Sequence, residues 1–203
     1  MPSPIPAQTL RIEAARRESR NGHTGGVLWL TGLSGAGKST LAFALEEHLF
    51  SSGYQVYVLD GDNLRRGLNA DLGFTHEDRT ENIRRAGQVA ALFADAGLIC
   101  IAAFISPYRS DRATAATNAK RFHEIYIRAD LKTCERRDPK GLYKRAREGK
   151  IENFTAIDDV YEEPQHPALT VDTVALTIHE SLGSLSDFVT KHFPLGRFVS
   201  SQE

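Results

Sequence analysis

Apolar and polar positions along this chain switch repeatedly between two periods. Val27-Leu28-Trp29-Leu30 is a continuous apolar run, the pattern of a strand buried on both faces. Residues 39–50 then place Leu41, Ala42, Leu45 and Leu49 on one helical stripe. The alternation continues with a strand at 55–59 and a helix at 77–95 that carries Ile83, Ala86, Val89, Ala90 and Phe93 on one face. Residues 98–105 read as a third, fully buried strand, 109–120 as an Ala-rich helix, and 122–127 as an alternating strand. Short helices at 131–137 and 142–147, a strand at 169–172 and a helix at 174–189 complete the series.

Strands alternating with helices predict an α/β fold with a mostly parallel central sheet and helices on both faces, joined by right-handed crossovers. Ligands of such sheets bind beyond the carboxyl ends of the strands, which brings together the loops after Leu30, Leu59 and Phe104. Pro2, Pro4 and Pro6 disfavour regular structure at the start, so residues 1–25 read as a partly flexible leader with one short helix at 10–20. Residues 26–193 read as one domain and 194–203 as a tail.

The first strand and helix enclose Gly32-Leu33-Ser34-Gly35-Ala36-Gly37-Lys38-Ser39, followed by Thr40. This is the G-x-x-x-x-G-K-[ST] phosphate loop. Its glycines let successive backbone N–H groups point at phosphate oxygens, and the following helix adds its positive end. Lys38 is placed to reach the β- and γ-phosphates and Ser39 to ligate Mg²⁺. The donor is therefore a nucleoside triphosphate. The guanine-reading Asn-Lys-x-Asp of GTPases has no sensible counterpart here, which favours ATP.

Residues that face the acceptor are less self-evident. The second strand ends in Asp60-Gly61-Asp62-Asn63. Carboxylates there would take an acceptor proton or, with Ser39, hold Mg²⁺; the alternative is a polar turn that caps a helix. A basic stretch follows, with Arg65, Arg66, Arg79, Arg84 and Arg85 around Phe74 and Asn82. Guanidinium forks match oxyanions, and an aromatic in a Gly-flanked loop can stack on a purine. After the third strand, Ser106 either aims its hydroxyl into the cleft or is a plain turn serine. Residues 134–145 are crowded with Arg and Lys around Pro139 and Gly141, as in a lid that closes over phosphates and expels water. Phe154 is a second aromatic in a polar loop.

Composition narrows the classes further. A net charge of −1 over 203 residues, with 25% charged and 41% hydrophobic, gives no general affinity for nucleic acid. No apolar run approaches the ~20 residues of a membrane span. Cys100 and Cys134 form no CxxC pair, and read as free thiols of a cytoplasmic protein. The start of the chain lacks the apolar core of a secretory signal.

The stretches 32–40, 59–68 (LDGDNLRRGL), 71–74, 78–85 (DRTENIRR), 104–109, 138–147 and 154–158 together resemble the adenylylsulfate kinase family, which phosphorylates the 3′-hydroxyl of adenosine 5′-phosphosulfate. The residues alone leave another small-molecule P-loop kinase, with a nucleoside or sugar acceptor, open. The resemblance implies a P-loop NTPase fold with a lid, ATP and Mg²⁺, a homodimer, and a separate ATP sulfurylase that supplies the substrate. It implies ATP contacts from Gly32, Ser34, Gly35, Ala36, Gly37, Lys38, Ser39, Thr40 and Val174. It places Asp62, Asn63 and Arg65 on the sulfonucleotide, with Phe74 and Phe154 around its adenine. Arg79, Asn82, Ile105, Ser106, Lys140 and Asn153 fall in the same site, and catalysis falls on Lys38, Asp62 and Ser106, the last matching a position described as phosphoserine in some members. One departure stands out: where the family usually has Phe-Thr-Gly-Ile-Asp, this chain has Ala156, which disfavours positive φ.

Overall fold

The structure, a computed structural model, describes residues 10–151, 154–157 and 159–196. These form a five-stranded sheet in the order β2-β3-β1-β4-β5, with β1 at Gly26–Thr31, β2 at Val56–Asp60, β3 at Ile99–Ala103, β4 at Phe122–Arg128 and β5 at Leu169–Asp172. Every pairing is parallel. The expected architecture is therefore present, and β3 lies between β1 and β2, so the three predicted loops do share one end of the sheet.

The sheet divides the core in two. On β1, Leu28 and Leu30 join a cluster with Leu41, Leu45 and Leu49 of α2 (Lys38–Ser51) and with Leu185, Phe188 and Val189 of α8 (Ile178–His192). Val27 and Trp29 point to the other face, where Ile83, Ala86 and Ala90 of α4 (His76–Asp95) and Ala115 of α5 (Arg109–Ala116) cover them. A strand buried on both faces must be apolar at every position, hence the unbroken run on β1.

Boundaries differ from the expectations where local hydrogen bonds compete. The helix expected at 174–189 starts at Ile178, because the Asp172 carboxylate accepts from the Val174 and Ala175 amides and makes a turn first. Thr177 and Glu180 then form a complete capping box. The helix expected over 109–120 stops at Ala116, and the strand expected at 98–105 spans Ile99–Ala103. A four-residue helix, α3 (Gly61–Leu64), had no periodicity to reveal it. In the leader, α1 (Ala14–Asn21) packs on the body: Asn21 Nδ2 donates to Gly97 O at 2.9 Å and Arg121 pairs with Glu18 at 2.7 Å.

The lid region holds α6 (Leu131–Arg137) and α7 (Leu142–Arg147). Asp138 caps the second of these by accepting from the Tyr143 and Lys144 amides. Cys134, Tyr143 and Ala146 are buried in the main core, so the region is anchored and presents its basic residues outward.

Candidate active site

The phosphate loop joins β1 to α2. Gly37 takes φ 104°, a left-handed conformation open to glycine, and Gly32 passes so close to β4 that an added Cβ would lie 2.3 Å from Ile127 O. Outer contacts brace the loop. Tyr143 donates to Ser34 O at 3.0 Å, Thr173 donates to Ala36 O at 2.8 Å, and Arg137 reaches Gly35 O and Thr173. None of these three supporting residues was singled out from the sequence. Their role depends on contacts with residues up to 137 positions away along the chain.

Within the loop, Lys38 is 8% exposed and its Nζ donates to Gly32 O at 2.9 Å and Leu33 O at 2.8 Å. Burial lowers its pKa to about 8, with nearby Lys140 adding to the shift. Ser39 Oγ donates to Asp60 Oδ2 at 2.6 Å, and Asp60 Oδ1 accepts from the Asp62 and Asn63 amides. Asp60 thus both caps α3 and sets a carboxylate beside the Ser39 hydroxyl. Asp62 is exposed and ion-paired to Lys140 from the lid region.

Between α3 and α4, Phe74 is 54% exposed, with the Arg65 guanidinium 4.4 Å from its ring centre and that of Arg79 5.7 Å away. Arg65 also donates to Leu72 O and Gly73 O, and Arg85 grips Asp71 with two hydrogen bonds. The loop that carries Phe74 is therefore held by arginines on both sides. Arg79 and Asn82 are buried on α4, Arg79 donating to Phe74 O at 3.1 Å and Asn82 accepting from Asn69 at 3.0 Å. Phe154 is 7% exposed and meets Tyr143 edge-on at 5.0 Å. Phe74 projects at the surface while Phe154 belongs to the core. Val174 is exposed beyond β5, Thr40 follows Ser39 on α2, and Asn153 lies outside the described residues.

Ser106 departs from the expectation of a catalytic hydroxyl. It is 2% exposed, accepts from Trp29 Nε1 at 3.1 Å and donates to Thr31 Oγ1 at 3.0 Å. Its φ of 41° turns the side chain inward. Arg112, 2% exposed, fixes the same turn by donating to Ser106 O, Pro107 O and Glu162 O while pairing with Glu124. This hydroxyl belongs to the frame of the site; Ile105, one residue earlier, contributes its carbonyl to the same frame by accepting from Thr31.

A parallel sheet with a phosphate loop after β1, and a carboxylate beside its Ser39 at the end of β2, has the build of a P-loop phosphotransferase. The profile of the family described as Adenylylsulphate kinase matches residues 24–172. An adenylyl-sulfate kinase of Geotalea uraniireducens is 57% identical over 174 residues, 85% of this chain and 84% of that one. The structure of a Mycobacterium tuberculosis APS kinase in complex with AMPPNP and APS is 46% identical with a TM-score of 0.79, covering 82% of this chain and 98% of that chain. A hexameric APS kinase from Thiobacillus denitrificans is 33% identical with a TM-score of 0.64, covering 84% of this chain and 30% of that longer one. The chain belongs to the adenylylsulfate kinase family.

Proposed function

We propose that this enzyme transfers the γ-phosphoryl group of ATP to the 3′-hydroxyl of adenosine 5′-phosphosulfate, giving ADP and 3′-phosphoadenylyl sulfate. What supports this reading is the family match together with the end of β2, where Asp60 pairs with Ser39 of the phosphate loop and Asp62, two residues on, pairs with Lys140. On this reading Asp62, Lys140 and the arginine-held Phe74 form the acceptor side. In-line transfer forms the 3′-O–P bond as the β–γ bridging bond breaks, and needs positioning more than covalent chemistry. The loop N–H groups cradle the phosphates, and Lys38 leaves its two carbonyl acceptors for the β- and γ-oxygens. Asp62 orients the acceptor hydroxyl and receives its proton.

The residues present suit Mg²⁺. Ser39 Oγ and the Asp60 carboxylate are hard oxygen donors 2.6 Å apart. An ion of this kind takes most of its ligands from phosphate and water. When bound, Mg²⁺ would offset charge on the phosphates; Ser39 would hold it, with Asp60 and Asp62 as the neighbouring carboxylates. On the acceptor, Arg65, Arg79, Asn63 and Asn82 serve the sulfonucleotide, the exposed Phe74 covers its adenine, with Phe154 reaching that adenine only by the edge it leaves outside the core, and Lys140 approaches from the lid. A homodimer, a cytoplasmic location and a separate ATP sulfurylase that supplies the substrate belong to the same reading. The two cysteines are buried and free, and no helix of the described residues is long and apolar enough to cross a membrane.

The test is incubation of the purified protein with ATP, Mg²⁺ and adenosine 5′-phosphosulfate, with the product identified by mass. The expected product carries one added phosphoryl group on the 3′-oxygen. ADP release that ignores this acceptor but responds to a sugar or nucleoside would overturn the reading.

A further inference from the structure

Three segments bordering the acceptor side meet at one carboxylate that the proposed mechanism does not use. Asp159 Oδ2 accepts the Tyr108 phenol at 2.6 Å, and Arg79 Nε lies 3.7 Å from the same oxygen. Tyr108 belongs to the turn after β3, and Arg79 to the first turns of α4. The Asp159 backbone closes the loop of Phe154: its carbonyl accepts from Ala156 N at 2.6 Å and its N–H donates to Phe154 O at 3.3 Å. Through Arg79, which donates to Phe74 O, the same carboxylate also reaches the other aromatic. The chain beyond is fastened to the same turn, Glu162 N donating to Pro107 O and Arg112 to Glu162 O. His76 covers the Tyr108 ring at 4.2 Å. Burial pushes the Tyr108 phenol up to about 12, with the Asp159 bond adding to it, so it stays a proton donor at working pH.

We propose that Asp159 is a positioning residue of the acceptor site: it aims the Arg79 guanidinium at an anionic acceptor and fixes the loops of both Phe74 and Phe154. The identity of the acceptor rests on the reading above; the clasp itself rests on the geometry. A carboxylate beside a buried guanidinium costs little so long as the pair stays together, and an incoming phosphosulfate offers Arg79 a second anion at the mouth of the cleft. A neutral alcohol offers none, so the pair makes acceptor binding depend on negative charge.

Asp159→Asn keeps an oxygen for Tyr108 but removes the charge opposite Arg79. Loss of a charge-assisted contact of this kind weakens binding about tenfold or more, so the KM for adenosine 5′-phosphosulfate should rise by that factor. The KM for ATP and kcat should stay within about twofold, since the phosphate loop is braced by other residues. Asp159→Glu should recover part of the loss. Tyr108→Phe should raise the same KM, and the double variant should fall short of additivity. Amide hydrogen exchange should quicken at Ala156 and Glu162 in Asp159→Asn and Tyr108→Phe, and stay unchanged in α2. A lower acceptor KM, the result expected if Asp159 only competed for Arg79, would overturn the proposal. So would an equal decline of kcat and both KM values. If the unaltered protein ignores adenosine 5′-phosphosulfate, the functional reading fails, while the exchange experiment still decides for or against the clasp.

Discussion

Lys38 is the buried cation of the phosphate loop. Buried against two carbonyls, it titrates near 8 in place of its ordinary 10.5. Below about pH 8 it is charged in both the folded and the unfolded chain, and the fold carries the full penalty of burying it, about 3 kcal/mol. Between about 8 and 10.5 the unfolded chain binds a proton that the fold does not, so this group makes stability rise with pH across that window. ATP phosphates reverse the balance by favouring the ammonium. ATP binding at pH 9 should therefore take up protons, and binding at pH 7 nearly none from this group; calorimetry in buffers of different ionisation heat reads the difference. Lys38→Met should abolish the uptake. Ser106 shows what a sequence withholds at this scale. Its direction is set by a positive φ and by the Trp29 indole, 77 positions away. A buried, doubly bonded hydroxyl is a poor phosphoryl acceptor, so incubation with ATP and Mg²⁺ should leave the intact mass of the protein unchanged. Ser106→Ala should lower stability by about 1–2 kcal/mol in urea denaturation, because the indole N–H loses its buried partner.

At the scale of elements, the sequence disclosed most where period and packing agree. The unbroken apolar run gave β1, and the Leu41, Leu45, Leu49 stripe gave α2, because a helix or strand that faces the core needs apolar residues at its own period. It disclosed least where one side chain redirects the backbone, as Asp172 does before α8 and Asp60 does at α3. The phosphate loop was legible as a short-range motif, and Asp62, Arg65 and Phe74 stood out as candidates within one stretch of sequence. Tyr108, Asp159 and Arg112 were not, since their meaning lies in pairs 50 or more positions apart. Ala156 is the case where a sequence departure has a visible structural consequence. It adopts φ 70°, a region that costs a residue with a Cβ roughly 1–2 kcal/mol. Glycine would remove that strain but lose ~0.5–1 kcal/mol to the freedom of its unfolded chain. Ala156→Gly should thus leave the thermal midpoint unchanged or slightly raised, whereas Ala156→Val, with its branched Cβ, should lower stability by more than about 1 kcal/mol. A lower midpoint for the glycine variant would show that the alanine methyl contributes more through packing than it costs in strain.

The whole molecule separates its chemistry from its closure. The carboxyl ends of β1, β2 and β3 carry the cleft, while the amino ends are sealed by α1 and by the chain just after α8. Phe193 is fully buried there, and its ring occupies the space beside Gly26 so closely that an added Cβ would lie 2.4 Å from it. Gly196 N donates to Gly22 O, joining the two ends of the described chain. A large aromatic at the end of α8 thus fills a gap that Gly26, 167 residues earlier, leaves open. Removing a fully enclosed ring costs about 3–5 kcal/mol, since the surroundings relax only in part. Phe193→Ala should shift the urea midpoint accordingly. The KM values for ATP and adenosine 5′-phosphosulfate, measured well below the melting point, should remain within about twofold, because additivity holds for sites this far apart. ADP should then stabilise both proteins by the same increment, as it does when ligand affinity is unaltered. A smaller increment for the variant would mean that the amino-terminal seal and the nucleotide loop are coupled through β1, which runs from one to the other.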